Sequence, residues 1–375
     1  MLKTSIYNHL FKRGSHCYLF NSKNSFFAEI PAELFDILKS NDFNGLDNDD
    51  ITDLTAKEII VNSDSQYDFY NEEKLRHISS LCDRDTLTLV LVPSTACNFA
   101  CPYCFEEKKH PKIADKKFDE DLIKFINDHT AAKQLSITWY GGEPLLAFDR
   151  IKEIYHKIVS ETKLKITGHS IVTNGYLIND DTISFFKDSE LNHIQITLDG
   201  CRENHNRTRF LKHDKSGTYD IILKNIIRVA KELPSASVGV RVNINKENSD
   251  DFIAIHKYFE DQKLPNLYVY PGLIEEPTPE GNSYCSRCIT GEDTGIFYNS
   301  LKEKGCSFRT YPNYSSKGCM INRLNSYIIG PDGEIYKCWE DVSNEDKIIG
   351  YITEKEFKNK TLFYRYLNDT SAFFR

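Results

Sequence analysis

Three cysteines fall within eight residues, in the run Cys97-Asn-Phe-Ala-Cys101-Pro-Tyr-Cys104. Three thiolates can hold three irons of a cubane cluster and leave the fourth iron open to a further ligand, whereas a four-cysteine site is closed and suits electron transfer. The short spacing puts all three sulfurs on one tight loop. A zinc site would need a fourth ligand, typically from a second Cys or His pair, and the nearest histidine, His110, makes no such pair.

Other polar signals follow at intervals: Gly141-Gly-Glu-Pro144, Thr173-Asn-Gly175, Leu198-Asp-Gly200, and the alternating Arg241, Asn243 and Asn245. Each alone is an ordinary turn or strand feature. Their placement is what makes them a set, because each follows or ends an apolar, β-branched run. Such runs predict strands over 86–92, 135–140, 165–173, 193–198, 237–244 and 266–270. Helical periodicity lies between them, over 117–130, 148–160, 179–187, 218–232 and 250–259. Six strands in regular alternation with helices predict an α/β fold of parallel βαβ units. No Gly-x-Gly-x-x-Gly follows the first strand, so a closed or nearly closed barrel fits better than a dinucleotide fold. Barrels of this kind carry their chemistry at the C-terminal ends of the strands, where these motifs fall.

The rest of the chain bounds the answer. It has 375 residues, 27% charged, with a net charge of −8, so no basic field points to nucleic acid. No apolar run approaches the roughly 20 residues of a membrane span, and the N-terminus lacks the apolar core of a signal peptide. The expectation is a cytoplasmic protein with no nucleic-acid or membrane partner. Eleven cysteines are many, and their clustering points to iron–sulfur or metal ligation rather than a disulfide framework. Cys17, Cys82 and Cys201 stand alone and read as buried small hydrophobes. Three domains are expected: a small α+β domain over 1–83, the barrel over 84–271, and a cysteine-rich extension over 272–375. In the first, a hairpin around residues 21–25 precedes a helix opened by Pro31. In the last, Gly330-Pro-Asp-Gly333 reads as a hairpin turn.

The Cys-x-x-x-Cys-x-x-Cys run, with Tyr103 before its last cysteine, resembles the radical S-adenosylmethionine superfamily signature. The wider string from Thr95 to Glu106 resembles the branch that carries a C-terminal SPASM domain and modifies peptides and proteins. The likeness spans roughly residues 84–350, with the later motifs in the expected order. It implies a partial (β/α)6 TIM-like barrel and a [4Fe–4S] cluster on Cys97, Cys101 and Cys104. That cluster would cleave S-adenosylmethionine to a 5′-deoxyadenosyl radical, fed by an electron donor such as flavodoxin or ferredoxin. It further implies that Tyr103 packs on the adenine and that Gly141, Gly142 and Glu143 lie along the methionine ammonium. Thr197 and Asp199 sit where the family places ribose and substrate-side polar groups, with Asp199 the candidate catalytic residue. Asn174 and Arg241 are further cofactor candidates. Arg241 is open to either of two roles, pairing the methionine carboxylate or bracing the fold.

Cys319, Gly333 and Cys338 resemble the opening of a SPASM domain, which holds auxiliary [4Fe–4S] clusters, and Cys306 is the candidate preceding ligand. Cys285 and Cys288 are open between ligands, a local zinc site and a disulfide pair. The further cysteines of the SPASM pattern do not follow Cys338, so either the chain is a shortened version of a longer enzyme or the auxiliary region carries one cluster. Residues 1–83 resemble, more distantly, leader-recognition domains that bind an extended precursor at a sheet edge; a structural extension is the other reading. Three functions follow: maturation of a ribosomally made precursor peptide through a thioether or other crosslink, anaerobic sulfatase maturation on a target protein, and an inactive iron–sulfur protein.

Overall fold

A computed structural model of the chain describes residues 1–65, 67–104, 111–274, 287–306 and 319–368. Its contacts divide into two units, residues 1–82 with 309–319, and residues 83–308 with 320–375. Cys285 lies outside the described residues.

The first unit begins with β1 (Leu2–Thr4), β2 (Asn8–Arg13), β3 (His16–Asn21) and β4 (Phe26–Ile30). Two helices, α1 (Ala32–Ser40) and α2 (Asn48–Ala56), then β5 (Ile60–Asn62) and α3 (Asp68–Leu81) complete it. β2, β3 and β4 form an antiparallel sheet, and β1 pairs with β5. In β3 the alternation is clear: Cys17, Leu19 and Asn21 are buried, while His16, Tyr18 and Phe20 take the other face, as a one-sided sheet requires. Leu19 packs with Phe35, Leu38, Leu54 and Ile60 in this unit's own core.

The second unit is built on a nine-stranded sheet. Its parallel strands are β6 (Thr86–Ser94), β7 (Gln134–Gly141), β8 (Lys165–Thr173), β9 (His193–Leu198), β10 (Ser237–Ile244) and β11 (Leu267–Leu273). Between and after them lie α4 (Lys116–Asp128), α5 (Phe148–Glu161), α6 (Asp180–Asp188), α7 (Arg202–Thr208), α8 (Tyr219–Glu232), α9 (Asp251–Asp261) and α10 (Glu292–Glu303). Then come β12 (Ser326–Ile329), β13 (Glu334–Tyr336), β14 (Gly350–Tyr351) and α11 (Lys360–Asn368). The spatial order is β11-β10-β9-β8-β7-β6-β12-β13-β14. The six parallel strands therefore stand side by side in chain order, as successive βαβ crossovers of one hand produce. The sheet does not close on itself, since the free edge of β6 is taken by β12, which runs parallel to it.

Period-two patterning explains both faces. Ile194, Ile196 and Leu198 of β9 and Val238, Val240, Val242 and Ile244 of β10 pack with Ile222, Ile226 and Val229 of α8 in one core. The alternate residues Gln195, Thr197, Arg241 and Asn243 line a cavity on the other face. Local signals end the helices where expected: the Asp115 side chain accepts from the Phe118 amide to start α4, and Asn179 with Thr182 forms a capping box on α6.

The cysteine-rich tail differs from a separate appendage. The hairpin predicted around residues 330–333 is present, with β12 and β13 antiparallel, but β12 joins the edge of the main sheet. The lone cysteines also need correction. Cys17 is buried, Cys201 is half-buried, and Cys82 is exposed, because it caps the C-terminus of α3, where the chain leaves the helix towards solvent.

One buried histidine ties the sheet to its helices. His169 accepts from the Trp139 indole N–H at 2.8 Å through Nε2 and donates from Nδ1 to the Ser189 carbonyl at 3.0 Å, which requires the neutral ring. Burial pushes its pKa down from 6.5 to about 4. Below pH 6.5 the unfolded chain takes up a proton that the native ring refuses, so this stabilisation is complete above that pH and declines as pH falls towards 4. Urea unfolding at pH 7 and pH 5 should show His169→Phe losing about 2 kcal/mol less than the unsubstituted chain across that interval. An equal loss in both proteins would remove His169 as the cause.

Candidate functional site

A cavity of about 580 Å³ opens at the C-terminal ends of the parallel strands. Cys97, Cys101 and Cys104 line it, with Tyr103, Gly141, Gly142, Asn174, Thr197 and Arg241. Nine residues singled out from five separate stretches of sequence thus share one space, because consecutive parallel strands bring their C-terminal loops to one rim.

The cysteine loop is held against the strand ends by backbone. The amide of Glu143 donates to Ala96 O at 2.8 Å and that of Gly142 to Ser94 O at 3.3 Å. This approach depends on the two glycines. Gly141 has φ of +137°, and a Cβ there would stand 2.2 Å from Ser94 O; at Gly142 it would stand 2.5 Å from Ala96 O and 2.6 Å from Thr95 O. No side chain fits.

Glu143 and Asp199 do not line the cavity; both are buried behind its wall. Glu143 accepts from the Leu145 amide at 3.0 Å, the Thr173 hydroxyl at 2.7 Å and the Asn174 amide at 2.7 Å. Its carboxylate is therefore a clamp between the ends of β7 and β8, and burial pushes its pKa up. Asn174 then reaches Asn98 through its side-chain amide at 2.8 Å. Asp199 accepts from the hydroxyls of Tyr103 and, at 2.8 Å, Thr208, and burial raises its pKa as well. His205 accepts from the Asp199 amide at 3.2 Å and is kept neutral by burial. Arg241 donates to Asn243 Oδ1 at 2.9 Å from its place in the cavity wall.

Sequence reasoning missed Arg209. It is 8% exposed, lines the cavity, donates to the Tyr103 hydroxyl at 3.0 Å and lies 5.5 Å from the centre of the Phe99 ring. Trp339 and Glu340, immediately after Cys338, also line the cavity, and Trp339 meets Tyr140 edge-on at 4.7 Å. Nothing in the sequence links that hairpin to the loop after the first parallel strand.

The donor set fits an iron–sulfur cluster. Burial pushes the thiols of Cys97 and Cys101 up to about 12, with Arg209 pulling each back. These sulfurs need bound cations to stand as thiolates. Among the described residues no three His, Cys, Asp or Glu side chains converge to hold a single ion. Ligands of a cubane bind separate irons and stand apart, so a shared cavity is the relevant geometry. Of the tail cysteines, Cys306 is buried in the main hydrophobic core, Cys319 is exposed and grouped with the first unit, and Cys338 is half-buried beside Trp339. Cys288 is buried near Ile274 and Tyr103.

Residues 91–259 match the Radical SAM superfamily. A cysteine-type anaerobic sulfatase-maturating enzyme of Clostridium novyi (strain NT) is 28% identical over 72% of this chain and 78% of that protein. The serine-type anaerobic sulfatase-maturating enzyme of Klebsiella aerogenes is 30% identical over 69% of this chain and 68% of that protein. The radical SAM cyclopropyl synthase TigE of Paramaledivibacter caminithermalis is 26% identical over 90% of this chain and 79% of that protein. Two solved structures share the fold. Native anSMEcpe with bound AdoMet and Cp18Cys peptide superposes with a TM-score of 0.59 at 20% identity, over 75% of this chain and 83% of that one. Streptococcus suis SuiB bound to precursor peptide SuiA superposes with a TM-score of 0.52 at 15% identity, over 99% and 89%.

The glycine contact yields a direct test. Gly142→Ala must displace the backbone of residues 95–96, so S-adenosylmethionine affinity of the reconstituted protein should fall at least ~10-fold while its circular dichroism stays that of the folded chain. Unchanged affinity would mean that the loop does not depend on this contact.

Proposed function

Because the chain belongs to the radical SAM superfamily, whose cofactors are a [4Fe–4S] cluster and S-adenosylmethionine, we propose that it modifies a ribosomally made precursor peptide by radical chemistry. The cavity carries this reading, since it gathers the three thiols, the glycine turn and the polar strand residues at one rim. Cys97, Cys101 and Cys104 would hold the cluster. When bound, the cluster supplies the electron that splits S-adenosylmethionine and yields a primary radical able to take hydrogen from an unactivated carbon.

The chain's own residues then bind and orient. Gly141 and Gly142 admit the methionine end close to the backbone, and the ring of Tyr103, fixed at its hydroxyl by Asp199, Arg209 and Asn243, gives the adenine a flat surface. Asn174, Thr197 and Arg241 offer polar groups around it. Glu143 and Asp199 act one step back, holding the wall rather than touching the cofactor. A partial barrel of these strands would keep water from the reacting centre. Residues up to 83 would recognise the leader: the sheet order β2-β3-β4 leaves β2 and β4 at its edges, where an extended peptide can add as a strand. Cys338 and Cys306, both in the second unit, remain candidate ligands of an auxiliary cluster.

Sulfatase maturation is the second reading, favoured by the names of two relatives. In it a Cys or Ser of a target protein becomes formylglycine. No helix among the described residues is long and apolar enough to cross a membrane.

Anaerobically reconstituted, reduced protein should convert S-adenosylmethionine to 5′-deoxyadenosine, and Cys101→Ala should abolish this while retaining the fold. Product from the Cys101→Ala protein at the unsubstituted rate would sink the cluster assignment. With candidate substrates, a crosslink removes two hydrogens and creates no aldehyde, whereas the aldehyde of formylglycine reacts with a hydrazine probe. Hydrazine-reactive product would decide for the sulfatase reading.

A further inference from the structure

Among the described residues, Arg209–Asp199 is the one ion pair whose cation lines the cavity. Arg209 is 8% exposed and Asp199 1% exposed, with Nη1 and Oδ1 3.8 Å apart. The pair is asymmetric. The guanidinium lines the cavity beside Cys97 and Cys101, while the carboxylate does not line it and is packed behind Tyr103 and Thr208. Neither charge is saturated: among the described residues, Arg209 Nε and Asp199 Oδ1 are both buried without a hydrogen-bond partner. Fold bracing alone would favour full pairing, because a buried charge with unmet donors or acceptors is costly. The arrangement is an oriented dipole, positive end on the cavity side with Cys97 and Cys101, in a place where little water screens it.

From this geometry we infer that Arg209 is a positioning and electrostatic residue for the cluster, raising its reduction potential by presenting a buried cation to the added electron. The inference rests on Cys97, Cys101 and Cys104 being cluster ligands. Reduction adds one negative charge to the cluster, and a fixed cation nearby stabilises the reduced form relative to the oxidised one. Asp199 opposes that effect from further away and fixes the guanidinium. Tyr103 joins them, since its hydroxyl donates to Asp199 and accepts from Arg209, so the same pair also sets the ring that faces the cavity.

The experiment is an anaerobic redox titration of the full chain, loaded with iron and sulfide and followed by electron paramagnetic resonance, with iron per chain measured on each sample. Arg209→Gln should shift the reduced-to-oxidised ratio at a fixed potential at least ~10-fold towards the oxidised form, a fall of about 59 mV for a one-electron couple. Arg209→Lys, which keeps the charge, should restore most of it. Asp199→Asn should move the potential upwards. All three should bind the same iron as the unsubstituted chain. Unmoved potentials, or Gln and Asn variants moving the same way, would overturn the inference. So would loss of iron binding in all three variants, which would make the pair a fold brace only. Failure of the unsubstituted chain to bind four irons would instead strike the cluster assignment.

Discussion

The buried carboxylate of Glu143 is the constraint on which the site depends. Three donors converge on it, from the turn after β7 and from the end of β8, while its own amide holds the carbonyl of Ala96 in the cysteine loop. One residue therefore fastens three consecutive strand ends. Burying a carboxylate is unfavourable unless its lone pairs are taken, and here they are taken by groups that must themselves be paired once water is excluded. The clamp and the loop stabilise each other. Gly141 and Gly142 make the approach possible, since any Cβ would strike the carbonyls that the clamp brings close.

Around that clamp the polar residues divide by depth. Those that line the cavity, such as Thr197 and Arg241, offer groups to a bound molecule. Those one layer back, Glu143, Asp199 and His205, spend their hydrogen bonds on the wall. Arg209 bridges the layers, since it lines the cavity and also reaches the hydroxyl of Tyr103. The distinction matters for mechanism, because a carboxylate whose oxygens are already occupied serves geometry better than proton transfer. Of these two carboxylates, Asp199 has one oxygen without a hydrogen-bond partner among the described residues, and it lies beside the guanidinium.

The tail cysteines behave less uniformly than their shared region of sequence suggests. Cys306 is embedded in the main core. Cys338 lies next to Trp339, which enters the cavity wall because the β12–β13 hairpin extends the main sheet beside β6. That wall thus includes residues 235 or more positions downstream of the cysteine run.

The sequence by itself determined the α/β alternation, the six parallel strands and the cysteine loop, because these rest on local information. Side-chain period, turn residues and spacing within ten residues are all written in neighbouring positions. It also located the motifs at strand ends, so that nine cavity-lining residues were legible beforehand. The depth of each residue was not. Whether Glu143 faces a ligand or the wall depends on Thr173 and Asn174, some thirty residues away. The burial of Arg209 depends on Tyr103 and Asp199, and the entry of Trp339 depends on an edge that β6 leaves open. Only the tertiary structure decided these, because a buried polar group takes its role from the partners that folding brings to it.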